Sequence, residues 1–156
     1  MFSANSSQVS DEKLYVEDVF STYLYTGTGA AQTITNNIDL AGRGGLVWIK
    51  GRSAGIGNFL FDTSRGVNVE INSNTTDANA TLANSLTAFN SNGFSISSAT
   101  GIGVNAATYA SWTFREAPKF FDVVTYTGDG ANRNIAHSLG VTPGCIIVKR
   151  TDAAAD

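Results

Sequence analysis

The sequence predicts an all-β protein, built as an antiparallel β-sandwich of the jelly-roll type. Three observations predict this class: short apolar or alternating runs of strand length, turns rich in Gly and Asn, and no helical segments alternating with the strands. A strand that is apolar on one face must bury that face against another layer. Two sheets packed on one core are therefore the expected arrangement.

An internal repeat divides the chain. Tyr25–Ile34 reads YTGTGAAQTI and returns as YTGDGANRNI at Tyr126–Ile135, while Gly44–Lys50, GGLVWIK, returns as PGCIIVK at Pro143–Lys149. Self-similarity of this kind indicates duplicated structural units. The repeat predicts three segments: an N-terminal docking segment or tail at 1–19, a β-sandwich unit at 20–117, and the start of a second, incomplete repeat unit at 118–156.

The predicted elements follow in chain order. Residues 1 to about 13 are polar, which is typical of a tail. The apolar residues after them are too hydrophobic to be left in water, and they are the docking candidates: Leu14, Tyr15, Val16, Val19 and Phe20. Strand candidates begin at Ser21 and read STYLYT, LVWI, NFLF, VNVEI, FSI and TYASWTF. A weak helical pattern at 77–89 is rich in Thr and Asn, which disfavours a helix.

Side-chain patterns predict local environments within these elements. The alternation of VNVEI predicts that Glu70 is solvated. The core-like runs around Trp48 and Trp112 predict that both indoles are buried. The GTG sequence at Gly27–Gly29 predicts a hairpin turn, because Gly adopts positive φ at little cost.

Composition excludes several classes of function. A net charge of −3 and a pI near 5.0 give no electrostatic reason for binding nucleic acid or anionic lipid. No apolar run reaches the roughly 18 residues that a membrane-spanning helix needs. The first twenty residues lack the basic start and apolar core of a secretory signal peptide. We therefore expect no nucleic-acid partner, no membrane insertion and no signal-peptide export.

The candidates for catalysis or metal binding are few. His137 takes the repeat position of Asn36, so the repeat requires no base there, and no G-x-S-x-G nucleophile motif is present. Cys145 takes the position of Leu46 in an apolar run, which predicts a buried thiol. The loop at 72–79 offers oxygen ligands for Ca²⁺ but only one carboxylate, Asp77, and this favours a plain Asx-turn loop. The sequence predicts no catalytic residue, no metal and no cofactor.

Two further groups are candidates for surface recognition. Asp62 and Arg65 lie three residues apart in FDTSRG, which favours a structural ion pair, with a contact to a partner as the alternative. Tyr23, Tyr25 and Tyr109 can stack on sugar rings if they are exposed.

Long stretches of the sequence resemble one family. VFSTYLYTGTGAAQTITNNIDLAGRGGLVWIK, FDTSRG, TAFNSNGFSI, ATYASWTFR, FFDVVTYTG and PGCIIVKRTD are similar to a domain of unknown function in bacteriophage virion proteins, often tail fibres or other particle components. The resemblance runs from about Val19 to the C-terminus. It extends more loosely to the concanavalin A-like lectin and laminin-G-like sandwiches.

The resemblance implies a non-enzymatic role in a phage particle. It implies a virion structural protein, the virion-attached N-terminal part of a tail fibre or spike, whose partners are tail, adaptor or capsid proteins and further copies of itself, with a trimer as the prior. It also implies a virion location after synthesis in the host cytoplasm. The alternative is a lectin-like receptor-binding module that recognises host surface glycans. A glycan-cleaving enzyme has little support, because the concanavalin A-like glucanase motif E-x-D-x-x-E is absent at Glu70.

Overall fold

The computed structural model describes residues 13–53, 55–98 and 101–154. Within these ranges the chain is nearly all β, with antiparallel sheets and one short helix, so the predicted all-β class is confirmed. The elements in chain order are α1 Val16–Val19, β1 Phe20–Thr26, β2 Gln32–Thr35, β3 Gly45–Gly51, β4 Asn58–Asp62, β5 Val69–Asn72, β6 Ala80–Thr81, β7 Leu86–Asn90, β8 Gly93–Ile96 and β9 Thr108–Arg115.

The strands form two antiparallel sheets. The larger has six strands in the order β1-β9-β3-β4-β5-β6, and the smaller has three in the order β2-β8-β7. Strand β9 lies between β1 and β3, in the registers Tyr25↔Tyr109 and Trp48↔Trp112. The unit is therefore closed by pairing its first strand with its last.

The Gly27–Gly29 turn connects the two sheets, so the prediction of a hairpin is wrong. Strands β1 and β2 on either side of it belong to different sheets. The turn is held by the segment before β9, where the Gly27 N–H donates to Ala107 O at 2.8 Å and the Gly29 N–H donates to Gly103 O at 2.9 Å. A Cβ at Gly27 would overlap the carbonyl oxygen of Val104, so this close approach requires glycine.

One hydrophobic core is drawn from both sheets and their connections. Its largest fully buried side chains include Phe61, Phe94 and Tyr109. The buried cluster consists of Tyr25, Ile34, Ile38, Leu40, Val47, Ile49, Phe61, Leu86, Phe94, Ile96, Ile102 and Tyr109.

Strand β9 presents its more polar side to this core. Tyr109, Ser111 and Thr113 are fully buried, and each has a hydrogen-bonding partner. The Val104 N–H donates to Tyr109 Oη at 3.1 Å, Ser111 Oγ donates to Tyr23 O at 3.3 Å, and Asn36 Nδ2 donates to Thr113 Oγ1 at 2.8 Å. These bonds satisfy polar groups whose burial would otherwise be costly.

The opposite side of the six-stranded sheet, which we call the outer face, carries the aromatic residues of β9. Trp48 and Trp112 are half-buried there and pack edge to face, with ring centroids 5.9 Å apart. The prediction that both indoles are buried in the core is therefore wrong. Their registers with Leu60 and Thr22 place them on the same face as those residues.

Glu70 in β5 is buried, with 8 % of its surface exposed, so the prediction that it is solvated is wrong. The side chains of VNVEI do alternate, but the side of β5 that carries Glu70 faces inward, and the side that carries Val69 and Ile71 does not. Glu70 Oε2 has no hydrogen-bond partner among the described residues, and burial raises the pKa of this carboxyl above its ordinary value.

We expect Glu70→Gln to stabilise the protein at neutral pH, and the gain to disappear in acid. A raised folded-state pKa means that the native protein holds this proton more tightly than the unfolded chain does. The wild-type protein therefore loses stability as pH rises from the ordinary glutamate pKa through the raised one. Urea unfolding of both proteins between pH 4 and 8 tests this, with Glu17→Gln as the control that removes the same charge from an exposed position. A gain that stays constant across this range would contradict the prediction.

The repeated sequence does not repeat its structure. We call Phe20–Lys50 the first copy and Phe121–Lys149 the second copy. Residues 122–154, all of them described, contain no strand. The second copy is attached to the first unit by scattered bonds: Ser64 Oγ donates to Val123 O at 3.4 Å, and Lys149 Nζ donates to Thr75 O at 2.7 Å. Cys145 is exposed, so the prediction of a buried thiol is wrong, because the sheet that surrounds Leu46 has no counterpart here.

Candidate functional site

The predicted docking residues fall into two groups. Val19 is buried, and Phe20 stacks on Phe114 of β9 with centroids 4.9 Å apart, so these two anchor the segment to its own sheet. The other three, Leu14, Tyr15 and Val16, are between 41 % and 66 % exposed. They are the part of the segment that remains available to a partner.

Helix α1 is a single turn that leads into the sheet. The Tyr15 N–H donates to Asp18 Oδ2 at 3.1 Å, which satisfies one free donor at the start of the turn. The helix ends where Phe20 takes an extended conformation and begins β1. The exposed residues of the segment therefore lie at the start of the first strand.

Strand β1 is an edge strand, and its strand partner among the described residues is β9. It is seven residues long, reads FSTYLYT, and contains neither a charge nor a proline. Natural edge strands are usually short, charged or interrupted by proline, because a bare edge pairs with other chains. The opposite edge follows that rule, since β6 has only two residues. Within the part of the chain that the structure describes, strand β1 is therefore an unprotected edge.

Two side chains of β1 add exposed apolar surface to this edge. Tyr23 and Leu24 are both exposed and lie on opposite sides of the edge, Leu24 on the outer face opposite Ala110 and Tyr23 on the other face opposite Ser111. Together with the exposed residues of the N-terminal segment they form what we call the edge patch: Leu14, Tyr15, Val16, Tyr23 and Leu24. The patch combines apolar side chains with unpaired backbone groups, which is the chemistry that adds a strand to a sheet.

Tyr25 and Tyr109 are core residues, so the prediction of these two as surface-recognition residues is wrong. Their rings stack with centroids 4.9 Å apart, and Tyr25 Oη donates to Ile102 O at 2.8 Å. Burial, followed by the neighbouring Tyr109, raises the pKa of Tyr25 above its ordinary range. Of the three tyrosines, Tyr23 alone is exposed.

Asp62 and Arg65 form a buried structural pair, which confirms the favoured interpretation and removes them as surface-recognition residues. Asp62 Oδ2 accepts from Arg65 Nε at 2.6 Å, and Asp62 Oδ1 accepts from the Arg65 backbone N–H at 2.9 Å. The two side chains are 4 % and 9 % exposed. The pair closes the turn after β4.

His137 lies in a cleft of about 430 Å³ with Glu116 and Asp122. Burial, then the charges of Asp122 and Asp62, raise the pKa of Glu116. The imidazole Nδ1 accepts from the Leu139 backbone N–H at 3.3 Å. In a serine-hydrolase triad that nitrogen donates to a carboxylate. Here it accepts from a backbone N–H instead, so His137 does not have the hydrogen bond of a triad histidine.

Polar groups of the Asn-rich loop at 72–79 form hydrogen bonds with other parts of the protein. Asn74 Oδ1 accepts from the Asn58 backbone N–H at 2.9 Å, and the Asn79 N–H donates to Thr151 O at 3.0 Å. In the part of the chain that the structure describes, no three His, Cys, Asp or Glu side chains are grouped to hold a metal ion. Nor does any described helix have the length and apolar character to cross a membrane.

Comparison with known proteins gives one match. No curated protein matches the chain, and neither does any solved structure. Residues 16–156 match the family described as Domain of unknown function (DUF7483), and the matched range includes both copies of the repeat and all the strands described above. The chain therefore belongs to the DUF7483 family.

Proposed function

We propose that the protein is a bacteriophage virion structural protein that acts by assembly contacts, as the virion-attached N-terminal part of a tail fibre or spike. The observation that carries the proposal is the unprotected β1 edge with its edge patch. An edge of this kind makes a free monomer prone to aggregation, whereas in an assembly a partner can pair with the edge and cover it. The resemblance of the sequence to phage particle proteins is the reason for proposing that this assembly is a virion.

The chemistry of the edge patch suits a permanent contact. Burial of apolar surface stabilises a complex by roughly 25 cal/mol per Å² before the entropy of association is subtracted. Strand addition also supplies main-chain hydrogen bonds that need no particular side chain, and these fit a repeating assembly of identical subunits. The proposed assembly is a homotrimer bound to tail, adaptor or capsid proteins.

The proposal includes the finer fold, a concanavalin A-like jelly-roll sandwich. Two antiparallel sheets that share one buried cluster support it. In such a sandwich the outer face is exposed to solvent or partners. The half-buried aromatic residues of that face then add a second apolar contact surface beside the edge patch.

The alternative function is a lectin-like module that recognises host surface glycans. One observation favours it: the Trp48–Trp112 pair lies on the outer face and leaves part of both indoles accessible, as sugar stacking requires. Glycan binding that is lost in Trp112→Ala would support this alternative. Assembly that persists in Trp112→Ala, without any glycan binding by the wild type, would support the structural role.

We expect Leu24→Lys to block self-assembly without unfolding the protein. Lysine in an edge strand opposes pairing with another strand, and Leu24 is 57 % exposed, so the fold itself does not depend on its burial. Sedimentation velocity should show the wild-type oligomer, the variant monomer, and urea midpoints that agree. Thr35→Lys is the matched control, since Thr35 is an exposed residue of β2, the edge of the other sheet. An oligomer that survives Leu24→Lys but not Thr35→Lys would contradict the assignment of the edge.

The virion role is tested directly on particles. Phage particles purified from a producing culture should contain the protein by mass spectrometry, and an antibody against it should label one structure of the intact particle by electron microscopy. Recovery of the protein only from the soluble fraction of the lysate would contradict the proposal.

A further inference from the structure

The second copy retains the residues of a core that it does not have. Four buried core residues of the first copy are at most 7 % exposed, whereas their counterparts in the second copy are 37 % to 73 % exposed. The pairs are Tyr25 and Tyr126, Ile34 and Ile135, Val47 and Ile146, and Ile49 and Val148. Exposed apolar surface of this extent, at the counterparts of four core residues, indicates a face that lacks its partner.

The first copy shows what the partner must be. Both of its strands in the six-stranded sheet pair with β9, one on each side. Its Tyr25 ring stacks on Tyr109, and the Tyr25 hydroxyl donates to Ile102 O at 2.8 Å. Residues 101–116 thus supply the strand between β1 and β3 and the loop that holds the first turn. In the second copy Tyr126 has neither contact, and its ring lies under Arg133 instead.

Two glycines of the second copy point to the same missing segment. A Cβ at Gly45 would overlap the carbonyl oxygen of Phe114 in β9, and a Cβ at Gly27 would overlap that of Val104. Their counterparts Gly144 and Gly128 meet no atom of the described residues within 4 Å. The second copy therefore keeps glycine at the two positions where the first copy needs it for β9 and the loop before it.

We propose that the second copy is an acceptor site for one strand and its preceding loop, with the sequence pattern of residues 101–116, supplied by another unit of this family. The incoming strand pairs with the Tyr126 segment on one side and with Cys145–Lys149 on the other. In the registers of the first copy, its Tyr-Ser-Thr side lies beside Tyr126, Ile146 and Val148 on one face of the new sheet. This inference deepens the assembly role proposed above and rests on it, because the donated strand joins one unit to the next.

The test uses the full chain and a synthetic peptide with the sequence of residues 101–116, GIGVNAATYASWTFRE. Hydrogen exchange with and without the peptide should show amide protection rising about tenfold or more at 121–130 and 145–149, the counterparts of the segments that β9 and its loop bond in the first copy, with little change in β9. Tight binding should also order the Tyr126 ring, which is visible in its NMR signals.

Adjacent isoleucines provide the matched variants. Ile146 and Ile147 are 73 % and 77 % exposed in the free chain, but only Ile146 has a core counterpart, Val47. Ile146→Ser should weaken peptide binding about tenfold or more, whereas Ile147→Ser should weaken it only a few fold. Gly144→Ala, which the free chain accommodates, should also weaken binding by blocking close approach.

Three results would overturn the inference: no protection at saturating peptide, protection confined to the β1 edge, or equal effects of Ile146→Ser and Ile147→Ser. These results are separable from a failure of the proposed function. If the peptide does not bind while Leu24→Lys still blocks assembly, only the acceptor site is wrong. If the protein is absent from particles while the peptide binds, only the virion role is wrong.

Discussion

Ile34→Ala should destabilise the protein by about 2 to 5 kcal/mol, the range for removing a large aliphatic side chain from a packed core. Ile34 is 2 % exposed and lies in β2 opposite Phe94 of β8, within the buried cluster that both sheets share. Its loss removes apolar burial and leaves a cavity that the two sheets cannot close without moving. Urea unfolding followed by circular dichroism measures the change.

The repeat supplies the control for this experiment. Ile135 has the same side chain at the same repeat position, but it is exposed in the second copy. Ile135→Ala should change the free energy of unfolding by less than about 0.5 kcal/mol, because no core is lost. Equal effects of the two substitutions would show that the second copy is packed in solution as the first one is.

Asp62→Ala should destabilise the protein by about 3 to 5 kcal/mol, because it leaves a buried guanidinium without its carboxylate. Arg65 Nη1 already lacks a hydrogen-bond partner among the described residues, and after the substitution Arg65 Nη2 keeps only Leu60 O at 3.2 Å. Loss of the Asp62 charge also relieves Glu116, whose pKa that charge raises, and this offsets a small part of the cost. Thermal and urea unfolding both measure the difference.

An exposed pair is the control for the buried one. Arg150 Nε donates to Asp152 Oδ1 at 2.7 Å, a geometry as close as that of the buried pair, but both side chains are more than half exposed. Asp152→Ala should leave the urea midpoint unchanged, since solvent replaces the lost interaction. If Asp62→Ala were equally silent, Arg65 would have to reach solvent in the folded protein.

The strongest strand patterns could be located from the sequence alone. The predicted runs STYLYT, LVWI, NFLF and TYASWTF lie within or largely within β1, β3, β4 and β9. The weaker strands were not predicted: β2 reads QTIT, and β7 lies partly inside the Thr- and Asn-rich stretch at 77–89. These two strands each contribute a buried apolar side chain, Ile34 or Leu86, and their place in a sheet is decided by contacts with β8.

Alternation alone does not tell which side of a strand faces the core. In β9 the core-like pattern around Trp112 suggested that its side of the strand is buried, yet Ser111 and Thr113 on the other side are the residues that are fully buried. Tertiary hydrogen bonds stabilise this arrangement, since Asn36 Nδ2, from the loop after β2, donates to Thr113 Oγ1. The inward position of Glu70 is also set by tertiary structure, because the register of β4 with β5 fixes which side of β5 faces inward.

The docking segment could be located in the sequence, but not the edge to which it leads. Leu14, Tyr15 and Val16 were identifiable by hydrophobicity alone. The exposure of Tyr23 and Leu24 depends on β1 being the last strand of its sheet, and strand order is a property of the assembled fold. One signal was present in the sequence: FSTYLYT is a long strand without charge or proline.

The position of β9 between β1 and β3 also has a kinetic consequence. During synthesis β9 emerges after both of its partners, and the second copy, with similar strand sequences, follows it almost at once from Phe121. Nearby segments meet faster than distant ones, so the second copy competes with the first for the same strand while the chain folds. The native pairing of β9 with the first copy must therefore be more stable than a pairing with the second copy, which forms faster because the second copy is closer in the sequence. We therefore expect a slow folding phase in which β9 exchanges one set of neighbours for the other.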